Sequence, residues 1–223
     1  EGDIGIKAEG DIIHGSSSHN TIFRSQMKGW QSETITTRNN AIEFAAKNTY
    51  MTVVGSVLGT PGKSNRYEVL PGQSYNDWSE RAIWVLGVGS GVNDANVAAT
   101  LLRHGNFDYV TNAVVWDAAI ADHNLPDSLY LSRMPAWWCQ ETPWPPIGPD
   151  VAGYASDIPA KRRFEGLSCT PAAELLLSRQ LKDAGVPQSD AYMKLGYRAD
   201  ARNYVRAAEI LRDVGVRSIR LLT

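Results

Sequence analysis

Over the first two-thirds of the chain, apolar residues come in short runs separated by polar corners. Such runs lie at 20–23, 40–45, 50–54, 56–58, 82–86, 96–102 and 109–116. They are rich in β-branched and aromatic residues and bounded by Gly, Asn or Asp, the pattern of short strands. No stretch in this part sustains a helical period over three turns. Ile22, Val53, Val85, Leu101 and Val114 are the expected inward positions. Asn opens runs at positions 20, 40 and 96. This loose repetition suits a coiled β-solenoid, in which each rung buries its side chains on the next. Periodicity alone leaves a β-sandwich with irregular loops equally open.

The pattern breaks at residues 125–159. Pro126, Pro135, Pro143, Pro145, Pro146 and Pro149 interrupt it, and proline cannot donate to a central ladder. Trp137, Trp138 and Trp144 stand among them. They read either as a platform for sugar rings or as the buried filling of a cap. Open sheet edges need covering, which favours the cap.

From Pro171 the composition shifts to Ala, Leu, Arg, Asp and Glu. Thr170-Pro171 resembles an N-cap followed by a first-turn proline. Residues 172–184 carry Leu175, Leu176, Leu177 and Leu181 at helical spacing, and Gly185 stops them. Residues 200–214 form the clearest predicted helix, with Tyr204, Ala207, Ala208 and Leu211 on one face. Residues 216–222 then read as a strand, completing an α/β unit. The expected domains are a β-rich part at 1–160 with its cap from about 125, a junction at 161–177, and an α/β fragment at 178–223.

Composition excludes several functions. A formal net charge of −2 gives no field to draw in nucleic acid or an anionic membrane. No apolar run reaches 18 residues, so no membrane span is expected. The first residues show no basic start and no apolar core of a signal peptide. Two cysteines, Cys139 and Cys169, allow one disulfide but no framework. With His14, His19, His104 and His123 scattered, no zinc site is expected, and no metal or cofactor is assigned.

Two resemblances add to this. The runs Asn20-Thr21-Ile22-Phe23-Arg24, Asn48 to Thr60, Trp84 to Ser90 and Leu101 to Val110 resemble right-handed parallel β-helix proteins of bacteria and phages. So do Leu125 to Leu131 and Trp144 to Val151; these proteins belong to the pectate-lyase-like group. This resemblance implies a mainly β fold, a right-handed parallel β-helix, to which the C-terminal part adds a short α/β segment. It implies a secreted or surface protein associated with polysaccharide. Lyase members hold calcium on acidic ligands and use an Arg or Lys base. By residue type alone, Asp94, Asp108, Asp117, Asp122, Arg103 and His104 are the candidates; acids and bases at turns are usually solvated corners. Trp137, Trp138 and Trp144 are the candidate glycan contacts. The expectation is a chain without complete catalytic machinery, and a polysaccharide lyase or hydrolase fragment is the first alternative.

The second resemblance is unrelated. Leu181 to Gly185, Leu195 to Tyr204 and Ala207 to Thr223 look like GTP cyclohydrolase II of riboflavin synthesis. In that family the strand-end threonine, here Thr223, contacts GTP. The family's zinc sits on three closely spaced cysteines, which this chain lacks. The second alternative is therefore a truncated relative, inactive here, and cytoplasmic if this resemblance governs. Two such mismatched halves suggest a recombined, truncated or misassembled reading frame. An uninterrupted frame across codons 155–185 in independent isolates would sink that idea.

Overall fold

The computed structural model describes residues 1–170 except 77, 90, 136 and 156, together with 181, 183–187 and 190. The α/β segment expected at 178–223, and Thr223 with it, lies almost wholly outside the described residues. By contacts the chain divides into two compact units, Glu1–Thr170 and Pro171–Thr223.

In the first unit the strands are short. They are β1 (Ile4–Gly5), β2 (Ala8–Gly10), β3 (Thr21–Phe23), β4 (Gln26–Met27), β5 (Ile42–Phe44), β6 (Thr52–Val54) and β7 (Val57–Leu58). There follow β8 (Arg66–Val69), β9 (Ala82–Leu86), β10 (Val88–Gly89) and β11 (Val92–Asn93). After helix α1 (Asn96–Thr100) come β12 (Leu102–His104), β13 (Asn106–Asp108) and β14 (Ala113–Val115), and later helix α2 (Pro159–Phe164). The sheet orders are β1-β4-β7-β13-β14, β12-β6-β3, β2-β5-β9-β8 and the pair β10-β11.

Most pairings are parallel, and several bring apolar residues of distant segments into register. Ile22 faces Val53, Ile42 faces Trp84, and Val57 faces Phe107. The main core gathers Met27, Ile42, Phe44, Met51, Val53, Leu58, Ile83, Trp84, Leu86 and Val97. Burying each of these side chains is worth about 1.5–3 kcal/mol. The core explains why such short strands hold: their ladders are too brief to be stable without it. Of the expected inward positions, Val53 and Val85 are buried. Ile22, Leu101 and Val114 are partly buried against the core clusters.

The expected right-handed parallel β-helix is corrected. The described residues form several small, mostly parallel sheets with few helices. No single repeat length runs through them. Thr21 faces Thr52, 31 positions on, whereas Thr52 faces Leu102, 50 positions on. Ala8 faces Ile42, and Ile42 faces Trp84, at offsets of 34 and 42. Loops of unequal length inserted between strands produce this drift. β10-β11 and β13-β14 are antiparallel as well.

Two expected strands also change. Residues 96–100 are helical, because the Asp94 carboxylate accepts the Asn96 N–H at 3.0 Å and Val97 turns into the core. Residues 109–112 form a turn, and only 113–115 pair, because Asp108 holds that turn by accepting the N–H groups of Val110 and Thr111.

Candidate functional site

The irregular segment after residue 124 is anchored by one arginine. Arg24 follows β3 and is 1% exposed. Its guanidinium donates to both oxygens of Asp150 at 2.7 and 2.8 Å. It also donates to the carbonyls of Pro126 at 2.8 Å, Ile147 at 3.0 Å and Leu125 at 3.3 Å. Such bidentate pairing suits the planar guanidinium, whose charge is thereby fully answered. The Arg24 hydrogen bonds hold the Asp150 carboxyl below its ordinary range. Glycine is required beside the pair, since a Cβ at Gly148 would lie 2.2 Å from the Arg24 guanidinium.

Three further ties fix the tryptophan loop. Cys139 and Cys169 form a disulfide, and Cys139 is fully buried. The Trp138 indole N–H donates to the carbonyls of Thr142 and Pro143 at 3.2 and 3.1 Å. Glu141 accepts from the Thr170 hydroxyl at 2.7 Å, from its N–H and from the Ser168 hydroxyl. Led by the Thr170 hydroxyl, these bonds lower the Glu141 carboxyl to about 2. On α2, opened by Pro159, Arg163 donates to the Trp137 carbonyl at 3.2 Å.

These ties shape a cleft of about 230 Å³ within the first unit. Trp137, Trp138 and Trp144 all line it, with Leu131, Pro146 and Ile158 as further apolar wall. Arg24, Arg163, Asp127 and Glu1 bring charge to it. Trp138 stands edge-on to Trp144, with ring centres 4.7 Å apart, and Trp137 is tilted against Trp138 at 5.6 Å. Trp138 is buried, Trp144 half-buried, and Trp137 44% exposed. Trp138 fills the interior, whereas Trp137 keeps an exposed face. The Trp144 indole N–H is buried without an acceptor among the described residues.

The other candidates lie elsewhere and are engaged. Asp94 accepts the Asn96 N–H at the start of α1 and the Lys47 N–H at 2.9 Å. Arg103 is paired with Glu68 and lies over the Trp84 ring at 5.2 Å. His104 accepts the Asp117 N–H through Nδ1 at 3.3 Å, and its Nε2 lies 3.0 Å from the Asp122 carbonyl. Asp108 holds its turn, while Asp117 and Asp122 cap the N–H groups of Ala119 and Asn124. Arg103 and Asp108 do line one crevice with Tyr67 and Trp84, but at about 10 Å³ it has room for no more than a water. Among the described residues no group of three or more His, Cys, Asp or Glu side chains could hold a metal ion. Nor is any helix among them long and apolar enough to cross a membrane.

Comparison with known proteins bears on the other unit. Residues 171–223 match the family model of GTP cyclohydrolase II. Over 48 residues the chain is 58% identical to the riboflavin biosynthesis protein RibBA of Mycobacterium avium (strain 104). The same identity over the same length holds for RibBA of Mycobacterium tuberculosis (strain ATCC 25618 / H37Rv) and of Mycolicibacterium gilvum (strain PYR-GCK). Each match covers 22% of this chain and 11% of the relative, so the chain spans about a ninth of these proteins. No solved structure matches the chain. The GTP cyclohydrolase II resemblance of the C-terminal part therefore stands. The resemblance of the first part to pectate-lyase-like proteins gains no support.

Proposed function

We propose that residues 171–223 are a segment of GTP cyclohydrolase II descent, from riboflavin synthesis, carried on a chain that does not itself convert GTP. The observation that supports the descent is the 58% identity over 48 residues. Against activity stands the donor set for zinc. The resemblance places that metal on three closely spaced cysteines, and this chain has two, both sulfurs of which are joined to each other. A disulfide sulfur is no thiolate ligand, so these residues do not fit the zinc of the family.

Thr223 alone does not make a nucleotide site. A hydroxyl donor contributes about 1 kcal/mol net, whereas micromolar affinity needs about 8 kcal/mol. Calorimetry of the full chain with GTP, with and without zinc, together with a formate assay, tests this. Neither saturable micromolar binding nor formate is expected, and either one would overturn the inactive reading.

A second reading concerns the unit Glu1–Thr170, as a carbohydrate-associated module. The convergence of Trp137, Trp138 and Trp144 on one cleft favours it. The disulfide supports an oxidising location, outside the cell or on its surface, for this unit. A glycan array probed with the full chain tests the reading, and retention of no glycan sinks it.

A further inference from the structure

We propose that the tryptophan-lined cleft binds a single uncharged six-membered sugar ring; this rests on the carbohydrate reading of the unit Glu1–Thr170. The size of the site argues for one ring. At about 230 Å³ the cleft falls below the roughly 300–1,000 Å³ of pockets that enclose drug-sized ligands.

The wall argues for a ligand with an apolar face. Trp137 keeps 44% of its surface exposed, Trp138 lies tilted against it, and Trp144 stands edge-on to Trp138. The C–H face of a pyranose stacks on such an indole, and the rigid ring needs little ordering to receive it.

The charges argue for a neutral ligand. The Arg24 charge is consumed by Asp150. What remains is Arg163, whose bond among the described residues is to the Trp137 carbonyl, and Asp127, which has no partner among them. Glu1 lines the cleft too and accepts the Leu129 N–H at 2.9 Å. A guanidinium that donates and carboxylates that accept match the hydroxyls of a sugar, each of which does both. An acidic sugar would meet Asp127 and Glu1 at close quarters, and a cationic ligand would meet Arg163.

The test is titration of the full chain, followed by tryptophan fluorescence and calorimetry. The probes are the methyl pyranosides of glucose, galactose and mannose, with glucuronate, choline and a hexasaccharide mixture beside them. Saturable binding of at least one neutral glycoside is expected, with Kd on the order of 1 mM. Trp137→Ala and Asp127→Asn should each weaken it about tenfold or more. Trp78→Ala, which removes an exposed tryptophan away from the cleft, should leave it unchanged. Thermal melts of each variant separate loss of binding from loss of fold. Unchanged affinity in a folded Trp137→Ala variant, or preference for choline, overturns the proposal. If glucuronate or the hexasaccharides bind and the neutral glycosides do not, the carbohydrate reading survives and this inference fails. If nothing binds, both fail.

Discussion

Within the unit Glu1–Thr170, residues 1–115 and residues 116–170 are held together by different physics. The first stretch is strand-built. Its stability comes from an apolar core spread over many side chains, among them Ile42, Val53, Leu58, Ile83 and Trp84, each fully or almost fully buried. The second has few ladder bonds and depends on a handful of specific ties: Arg24 to Asp150, Cys139 to Cys169, Glu141 to Thr170, and the Trp138 indole to two carbonyls. Burial is non-directional and distributed, so it tolerates small losses anywhere. Charge-assisted bonds and a covalent link are local, and each fails as a unit. The cleft belongs to the second kind of structure, where a few ties set the positions of three tryptophans.

The largest effect should come from the core. Val53→Asp places a carboxyl at a fully buried position between Ile22 and Arg103. The expected cost is about 5 kcal/mol or more, enough to unfold a marginally stable unit. Far-UV circular dichroism and a thermal melt measure it. A wild-type melt would show that Val53 is not in the core, and that the strand-built stretch is not organised as described.

Next comes the covalent tie. Replacing Cys139 and Cys169 together by serine releases a 30-residue separation, which should cost about 3–4 kcal/mol in denaturant unfolding. The comparison predicts that this loss is carried by tryptophan fluorescence, while the strand signal persists. If both signals shift together, the two regions form one cooperative unit and the contrast fails.

The third effect is of similar size but polar in origin. Arg24→Met keeps much of the bulk and removes the donors to Asp150, Leu125, Pro126 and Ile147. Because Asp150 is about half-exposed and can be rehydrated, the cost should sit near the lower end for a broken buried pair, about 3 kcal/mol. Loss of cleft binding with an unchanged strand signal is the expected pattern. An unaltered quench of Trp137 by acrylamide would show that Arg24 does not shape the cleft.

The same contrast explains what could be read from the chain. The run at 82–86 is legible as a strand because its apolar residues are contiguous, and the structure pairs those residues on both sides. The run at 96–102 misleads. Val97 and Leu101 satisfy a strand pattern and a helix pattern equally, and the arbiter lies just outside the run, where the Asp94 carboxylate accepts the Asn96 N–H. The uniform repeat of a solenoid was a false extension of real parallel pairing, since loop lengths between partners leave no periodic trace. Trp137, Trp138 and Trp144 could be named as a group from their spacing. Arg24, Asp127 and Arg163 could not, because nothing local links position 24 to position 150, or position 163 to position 137. The resemblance of the C-terminal part to GTP cyclohydrolase II was legible in the residues 181–185, 195–204 and 207–223.

The smallest effect, and the finest test of the contrast, is acid. The apolar clusters carry no titrating group except partly buried tyrosines, and burial pushes the Tyr67 and Tyr109 phenols further from neutrality. The second stretch carries four depressed carboxyls, Asp122, Glu141, Asp150 and Asp157, of which Asp150 and Glu141 tie the tryptophan loop. Asp150 is lowered chiefly by its hydrogen bonds from Arg24, and Glu141 is lowered to about 2, chiefly by the Thr170 hydroxyl. A group whose folded pKa lies below its unfolded value contributes stability above the unfolded pKa, and loses it as pH falls through the folded one. Both contributions should therefore be complete above about pH 4–5, where unfolded Asp and Glu are ionised. They should decline below that, with the Glu141 tie lasting to about pH 2. Tryptophan emission followed from pH 7 to pH 2 should be flat at first and then shift to the red. The strand signal in circular dichroism should lag behind it, because hydrophobic burial does not titrate. Asp150→Asn should abolish the part of the emission shift that the Arg24 tie contributes, while the Glu141 part remains. Emission that stays flat down to pH 2 would remove the carboxylate ties from the account of how the cleft is held.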